Sequence, residues 1–128
     1  MSHNKVINTK LAPSAIGAYS QAIKSNGLLF TSGQIPLVPE SGNIVSDAIN
    51  EQIEQVFKNI QGILESEGLD LNNVIKLTVF LTDLSDFDTL NKIFNEKFIN
   101  YFPSRSVVQV SRLPKNSKVE IEVIANYE

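Results

Sequence analysis

The chain has no cysteine, no tryptophan, one histidine and two arginines among its 128 residues. Without cysteine there are no disulfides, thiolate metal sites or thiol nucleophiles. The single histidine, His3, lies in the polar start Met1-Ser2-His3-Asn4-Lys5, a poor place for acid–base catalysis, which needs a fixed imidazole. A transition-metal site would therefore rest on carboxylates alone. Basic charge is also scarce. The net charge is −3 and the lysines are scattered, so there is no footprint for nucleic acid. No apolar run is long enough to cross a bilayer, and the polar start carries no secretory apolar stretch, so a cytoplasmic protein is expected. No glycine-rich phosphate loop occurs, so a nucleotide cofactor has no support. No cofactor and no metal are expected.

What remains is ordinary for one soluble domain: 42% hydrophobic and 20% charged residues, enough for a single core over residues 1–128. Residues 6–9 read as a short strand. Apolar segments flank Asn26-Gly27, the strongest short hairpin signal. From about Asp47, Ile49, Ile53, Val56, Phe57, Ile60, Ile63 and Leu64 recur at helical spacing, and Gly68 follows as a stop. Residues 74–81 alternate as a strand, with Ile75, Leu77, Val79 and Leu81 on one face against Lys76, Thr78 and Phe80 on the other. A second helix opens at Ser85-Asp86-Phe87-Asp88, an approximate capping box, with Phe87, Leu90, Phe94 and Phe98 as its apolar stripe. Strands at 106–110 and 118–126 close the chain. The order is β-ββ-α-β-α-β, an α+β fold.

Two amphipathic helices on right-handed crossovers cover one face of the sheet. The other face has nothing in the chain to cover it, yet the alternation assigns it Phe80, Val107 and Ile124. An uncovered apolar face implies a partner subunit. A homo-oligomer with sites between subunits is expected.

Arg105, in Phe102-Pro103-Ser104-Arg105-Ser106, places a planar fork of donors where a strand begins. That suits a carboxylate, though a surface ion pair is the plain alternative. Asp83, Asp86 and Asp88 form the one acidic cluster, with a spacing that suits helix capping better than a metal. Ser32-Gly33-Gln34 either ends a strand or presents backbone N–H groups to an anion. Glu120 and Glu122 alternate away from Val119, Ile121 and Val123. They are either solvated carboxylates or functional groups on the face that a partner buries, where a carboxylate and an arginine on neighbouring strands near a subunit seam make a small-molecule cleft.

Four separated motifs resemble one family. Ile16-Gly17-Ala18-Tyr19-Ser20-Gln21, Phe30-Thr31-Ser32-Gly33-Gln34-Ile35-Pro36, the Arg105 motif, and Arg112-Leu113-Pro114-Lys115 with Val119-Glu120-Ile121-Glu122 are similar to the RidA (YjgF) family of reactive intermediate deaminases. The resemblance runs over essentially the whole chain. It implies a chorismate-mutase-like α+β fold, a homotrimer with a central β-barrel and clefts between subunits. It also implies hydrolysis of 2-imino acids and enamines, such as 2-iminobutanoate and 2-iminopropanoate, to 2-oxo acids and ammonia. Carried over by motif, Arg105 binds the substrate carboxylate, Glu120 positions or activates water, and Tyr19 lines the cleft. Ser32, Gly33 and Asn91 complete the pocket. Val107 stands where many relatives have cysteine and keeps a small apolar wall.

Two other readings are open: a ribonuclease-type translation inhibitor, disfavoured by the acidic balance, and a non-enzymatic regulatory or chaperone-like partner protein. Nothing in the sequence tests the second, because exposed helix faces would serve any partner.

Overall fold

Asn26 and Gly27, with φ of 52° and 76°, make the two-residue turn that fixes the first hairpin, because both positions need left-handed backbone. In the computed structural model, which describes residues 3–128, this turn joins β2 (Ala22–Ser25) to β3 (Leu28–Thr31). Around them are β1 (Lys5–Ile7), α1 (Ile49–Ser66), β4 (Val74–Leu81), α2 (Phe87–Lys97), β5 (Ser104–Gln109) and β6 (Val119–Asn126). The elements follow the expected sequence, with both closing strands after α2, so the order is β-ββ-α-β-α-ββ. The strands form a single sheet in the order β1-β2-β3-β6-β4-β5, antiparallel except for the parallel pair β4 and β5.

Both helices lie on one face, and one core joins them to the sheet. Phe57 of α1 meets Phe94 of α2 edge-on at 5.4 Å between ring centres, and Phe98 at 5.9 Å. Buried Gln52 ties the start of α1 to that of β6. Its amide donates to the Ser46 carbonyl at 2.8 Å and its oxygen accepts from Lys118 N–H at 2.8 Å. Buried Asn59 holds the loop after β3 by donating to the carbonyls of Ile35 and Leu37. Buried Gly62 has to be a glycine, because a methyl group there would overlap the Leu11 carbonyl.

Several local expectations are corrected. The first strand begins earlier and ends at Ile7. A register shift between Val74 and Lys76 turns Ile75 outward and buries Val74 instead. Helix α2 has no side-chain cap; Asp83 accepts from Ser85 N–H and caps the short 3-10 turn before it. An acidic group there stabilises free N–H donors without any metal.

The most consequential correction concerns β5. Arg105 and Val107 pair with Leu77 and Val79, so both lie on the helix side, and Val107 packs against the core. Val108 occupies the outer face, 44% exposed. A row of apolar residues crosses that face on adjoining strands: Val6 opposite Ile23, Ile23 opposite Phe30, Phe30 opposite Ile124. Val6 and Phe30 are 62% and 40% exposed. The outer face is as apolar as the sequence implies, with Val108 in place of Val107.

Candidate functional site

Arg105 is held on β5 between the parallel neighbour β4 and helix α2. Its guanidinium carbon lies 4.8 Å from the centre of the Phe94 ring and 5.3 Å from that of Phe87. Among the described residues no carboxylate pairs with it; the ion pairs are Lys5 with Glu67 and Lys97 with Glu54. The surface ion-pair reading therefore fails, and the cation rests on aromatic faces. Partial burial pulls its pKa below the usual arginine value, yet a guanidinium stays charged. It opens onto a cleft of about 340 Å³ shared with Asn91, Phe94, Asn95, Phe102 and Pro103. No acidic side chain lines this cleft, so a carboxylate would meet positive charge, two amides and apolar walls. Asn91 is thus brought to Arg105, as the motif implied. Val107, on the core, is not among the residues lining it.

Glu120 occupies a different place. It lies opposite Phe80 on the outer face, with its carboxylate against Gly33, where an added methyl group would overlap it. Glycine is required here for close approach rather than for a turn. The segment bearing Gly33 is fixed on both sides. Ser32 N–H donates to the Gln21 carbonyl at 2.9 Å, and Gln34 exchanges two backbone bonds with Ile121 at 2.8 and 3.1 Å. The Ser32 hydroxyl donates to the Ser20 carbonyl at 2.6 Å. Both Ser32 donors are thereby engaged, which corrects the expectation of two backbone donors at this turn. The Gly33 N–H has no backbone partner among the described residues. Burial first, and the neighbouring Glu122 second, push the Glu120 carboxyl above its usual pKa. A carboxyl disfavoured as the anion by burial and by a like charge is a stronger proton acceptor than a solvated one, and it lies beside the Gly33 N–H.

Tyr19 stands exposed beside Gly17, whose φ is 124°, a backbone that side chains avoid. What fixes this loop is Gln21, whose role the sequence reading missed. Fully buried, its amide donates to the carbonyls of Thr9, Ala12 and Pro13, and its oxygen accepts from Thr9 N–H at 2.7 Å. Its place in the Tyr19 motif was a signal, without a chemical role attached. Replacing it leaves several buried polar groups unmatched. Gln21→Leu is expected to lose roughly 2–4 kcal/mol of stability, read as a lower denaturant midpoint with an unchanged slope. An unchanged midpoint would show that water replaces the amide without cost.

The two groups do not meet within one chain. Strands β5 and β6 are both neighbours of β4 and not of each other, which puts them about 10 Å apart. Arg105 and Glu120 also point to opposite faces. The expectation of an arginine and a carboxylate on neighbouring strands is corrected accordingly. Among the described residues no group of acidic and histidine side chains could hold a metal ion, and no helix is long and apolar enough to cross a membrane.

Residues 9–127 match the family described as Endoribonuclease L-PSP. The chain is 49% identical over 121 residues to the chloroplastic Reactive Intermediate Deaminase A of Arabidopsis thaliana, covering 94% of this chain but 65% of that protein. It is 46% identical to the human 2-iminobutanoate/2-iminopropanoate deaminase, over 94% of this chain and 88% of that one. Among solved structures it superposes on Escherichia coli TdcF with bound serine at a TM-score of 0.90 and 43% identity, covering 97% and 99% of the two chains.

Proposed function

As the chain belongs to the Endoribonuclease L-PSP family, which here includes the reactive intermediate deaminases, we propose that it hydrolyses 2-imino acids and their enamine tautomers to 2-oxo acids and ammonia. The relatives named for 2-iminobutanoate and 2-iminopropanoate supply the substrate class. The observation that carries it to this chain is Arg105, a cation without a carboxylate partner, opening onto a cleft with apolar walls. A single cation suits a monocarboxylate with a small uncharged side chain. The Escherichia coli relative TdcF has been solved with bound serine, itself a small monocarboxylate.

The reaction asks little of the protein. The carboxylate docks on Arg105, which fixes the imine carbon. Glu120 takes a proton from water as its oxygen bonds to that carbon, and the electron pair of the C=N bond moves to nitrogen. Glu120 returns that proton to nitrogen, which leaves a carbinolamine; it then takes the hydroxyl proton and passes it to nitrogen as the C–N bond breaks, so that the carbonyl forms and ammonia leaves. The Gly33 N–H, with Tyr19 and Asn91, orients the substrate. Orientation and one proton acceptor suffice for so electrophilic a carbon. Incubating the protein with imines generated in situ from amino acids tests this, with ammonia release above the spontaneous rate as the expected result. A rate equal to the blank rejects the deaminase.

Because Arg105 and Glu120 face opposite ways, the site is completed by a second copy that brings its outer face to the β5 edge of the first. We place the apolar row Val6, Ile23, Phe30 and Ile124 at that contact, in a homotrimer whose sheets enclose a central barrel. Light scattering is expected to give three times the chain's 14.2 kDa. A stable species of one chain mass at dilute concentration rejects the shared site.

A further inference from the structure

Helix α2 presents Phe87, Asn91 and Phe94 at spacings of four and three residues, so all three lie on one side of it. Phe87 was expected in the core, yet it is 37% exposed and its ring lies beside Arg105. Phe94 is almost wholly buried, fixed by Phe57 at 5.4 Å and Phe98 at 5.3 Å. One side of the guanidinium's surroundings is therefore as rigid as the core, while the other is a partly exposed ring at the start of α2.

We infer that Phe87 and Phe94 are positioning residues that hold Arg105 by their ring faces, in place of a counterion, and so leave its N–H edge free for a substrate carboxylate. A carboxylate partner would hold the arginine equally well, but would occupy the donors that the ligand needs and would cancel the charge that attracts it. An aromatic face contributes attraction without accepting those hydrogen bonds. The anchor is preorganised and unpaired at once, which lowers the ordering cost of binding. This rests on the carboxylate-anchoring role proposed above for Arg105, and names the groups that make it effective.

Phe94 also supports the core, so the informative variants are at Phe87. Phe87→Leu removes the ring and keeps an apolar side chain; Phe87→Tyr keeps the ring. The chain's only other arginine is the exposed Arg112, so the side-chain Nε–H spectrum has two signals and Arg105 can be followed without ambiguity. In the wild type its signal is expected to be displaced by the ring currents. Phe87→Leu should move it toward the position of Arg112, and Phe87→Tyr should leave it in place. Calorimetry with 2-oxobutanoate should show a three- to tenfold weaker dissociation constant for Phe87→Leu and near-normal binding for Phe87→Tyr. In turnover, KM should rise more than kcat falls.

A wild-type signal with no ring-current displacement overturns the inference. So does a Phe87→Leu protein that binds 2-oxobutanoate as tightly as the wild type, or a Phe87→Tyr protein that binds as weakly as Phe87→Leu. Failure of 2-oxobutanoate to bind the wild type at all also overturns it. If these results hold while imines are not hydrolysed, the deaminase reading fails and the arginine cradle stands.

Discussion

Arg105→Lys is expected to lower kcat/KM for imine hydrolysis by about 30- to 150-fold while leaving the fold intact. The lost interaction is a charge-assisted, two-point contact of roughly 2–3 kcal/mol, and each 1.36 kcal/mol is tenfold in rate. Lysine keeps the positive charge, so simple attraction survives, but its point charge cannot reproduce a planar fork on a carboxylate. Its ammonium is also more strongly hydrated than the guanidinium, whose central carbon lies over the Phe94 ring at 4.8 Å from its centre. The fold should tolerate the change because Arg105 makes no ion pair among the described residues and sits on the edge strand β5. Ammonia release, far-ultraviolet circular dichroism and 2-oxobutanoate affinity, measured on one preparation, separate anchoring from folding. Near-normal kcat/KM in a folded Arg105→Lys protein would remove the carboxylate anchor from the mechanism.

How much of this was legible in the sequence depended on whether the signal was local. Asn26-Gly27 names its own turn, because few dipeptides accept two left-handed residues. The apolar period of 49–64 names a helix because the whole stripe agrees. Strand β5 is different. In Ser104-Arg105-Ser106-Val107-Val108-Gln109 a valine falls on each face, so alternation gives a period without a phase. Only the pairing of Val107 with Val79 and of Val108 with Phe80 decides between them. Strand order is non-local too. That β6 lies between β3 and β4 follows from contacts made across much of the chain, and no short motif announces it. The motifs did single out Arg105, Asn91, Gly33 and Glu120, but not that the first two share a cleft while the last two share the opposite face. Phe87 read as core because an amphipathic stripe does not distinguish a ring packed on leucine from one packed on an arginine.

Glu120→Gln is expected to lower kcat by about 100-fold or more, with a much smaller effect on 2-oxobutanoate binding. General-base assistance contributes about 10²–10⁴ in rate, and an amide of nearly the same shape accepts no proton from water. Stability should not fall. The folded carboxyl has its pKa raised by burial and then by Glu122. Its contribution to stability is therefore fully present below the unfolded pKa and is lost as pH rises through the folded one. At neutral pH the charged form is the disfavoured one in the fold, and neutralising it relieves that cost. The pH profile adds an independent check. The base must be ionised, so kcat/KM should fall on the acid side through a pKa raised from the usual glutamate value by burial and Glu122. Glu122→Gln should move that limb to lower pH by removing the like charge. If Glu120 only holds Gly33 and its loop in place, Glu120→Gln should leave both kcat and the acid limb unchanged. Water attack would then be assisted by substrate or backbone alone.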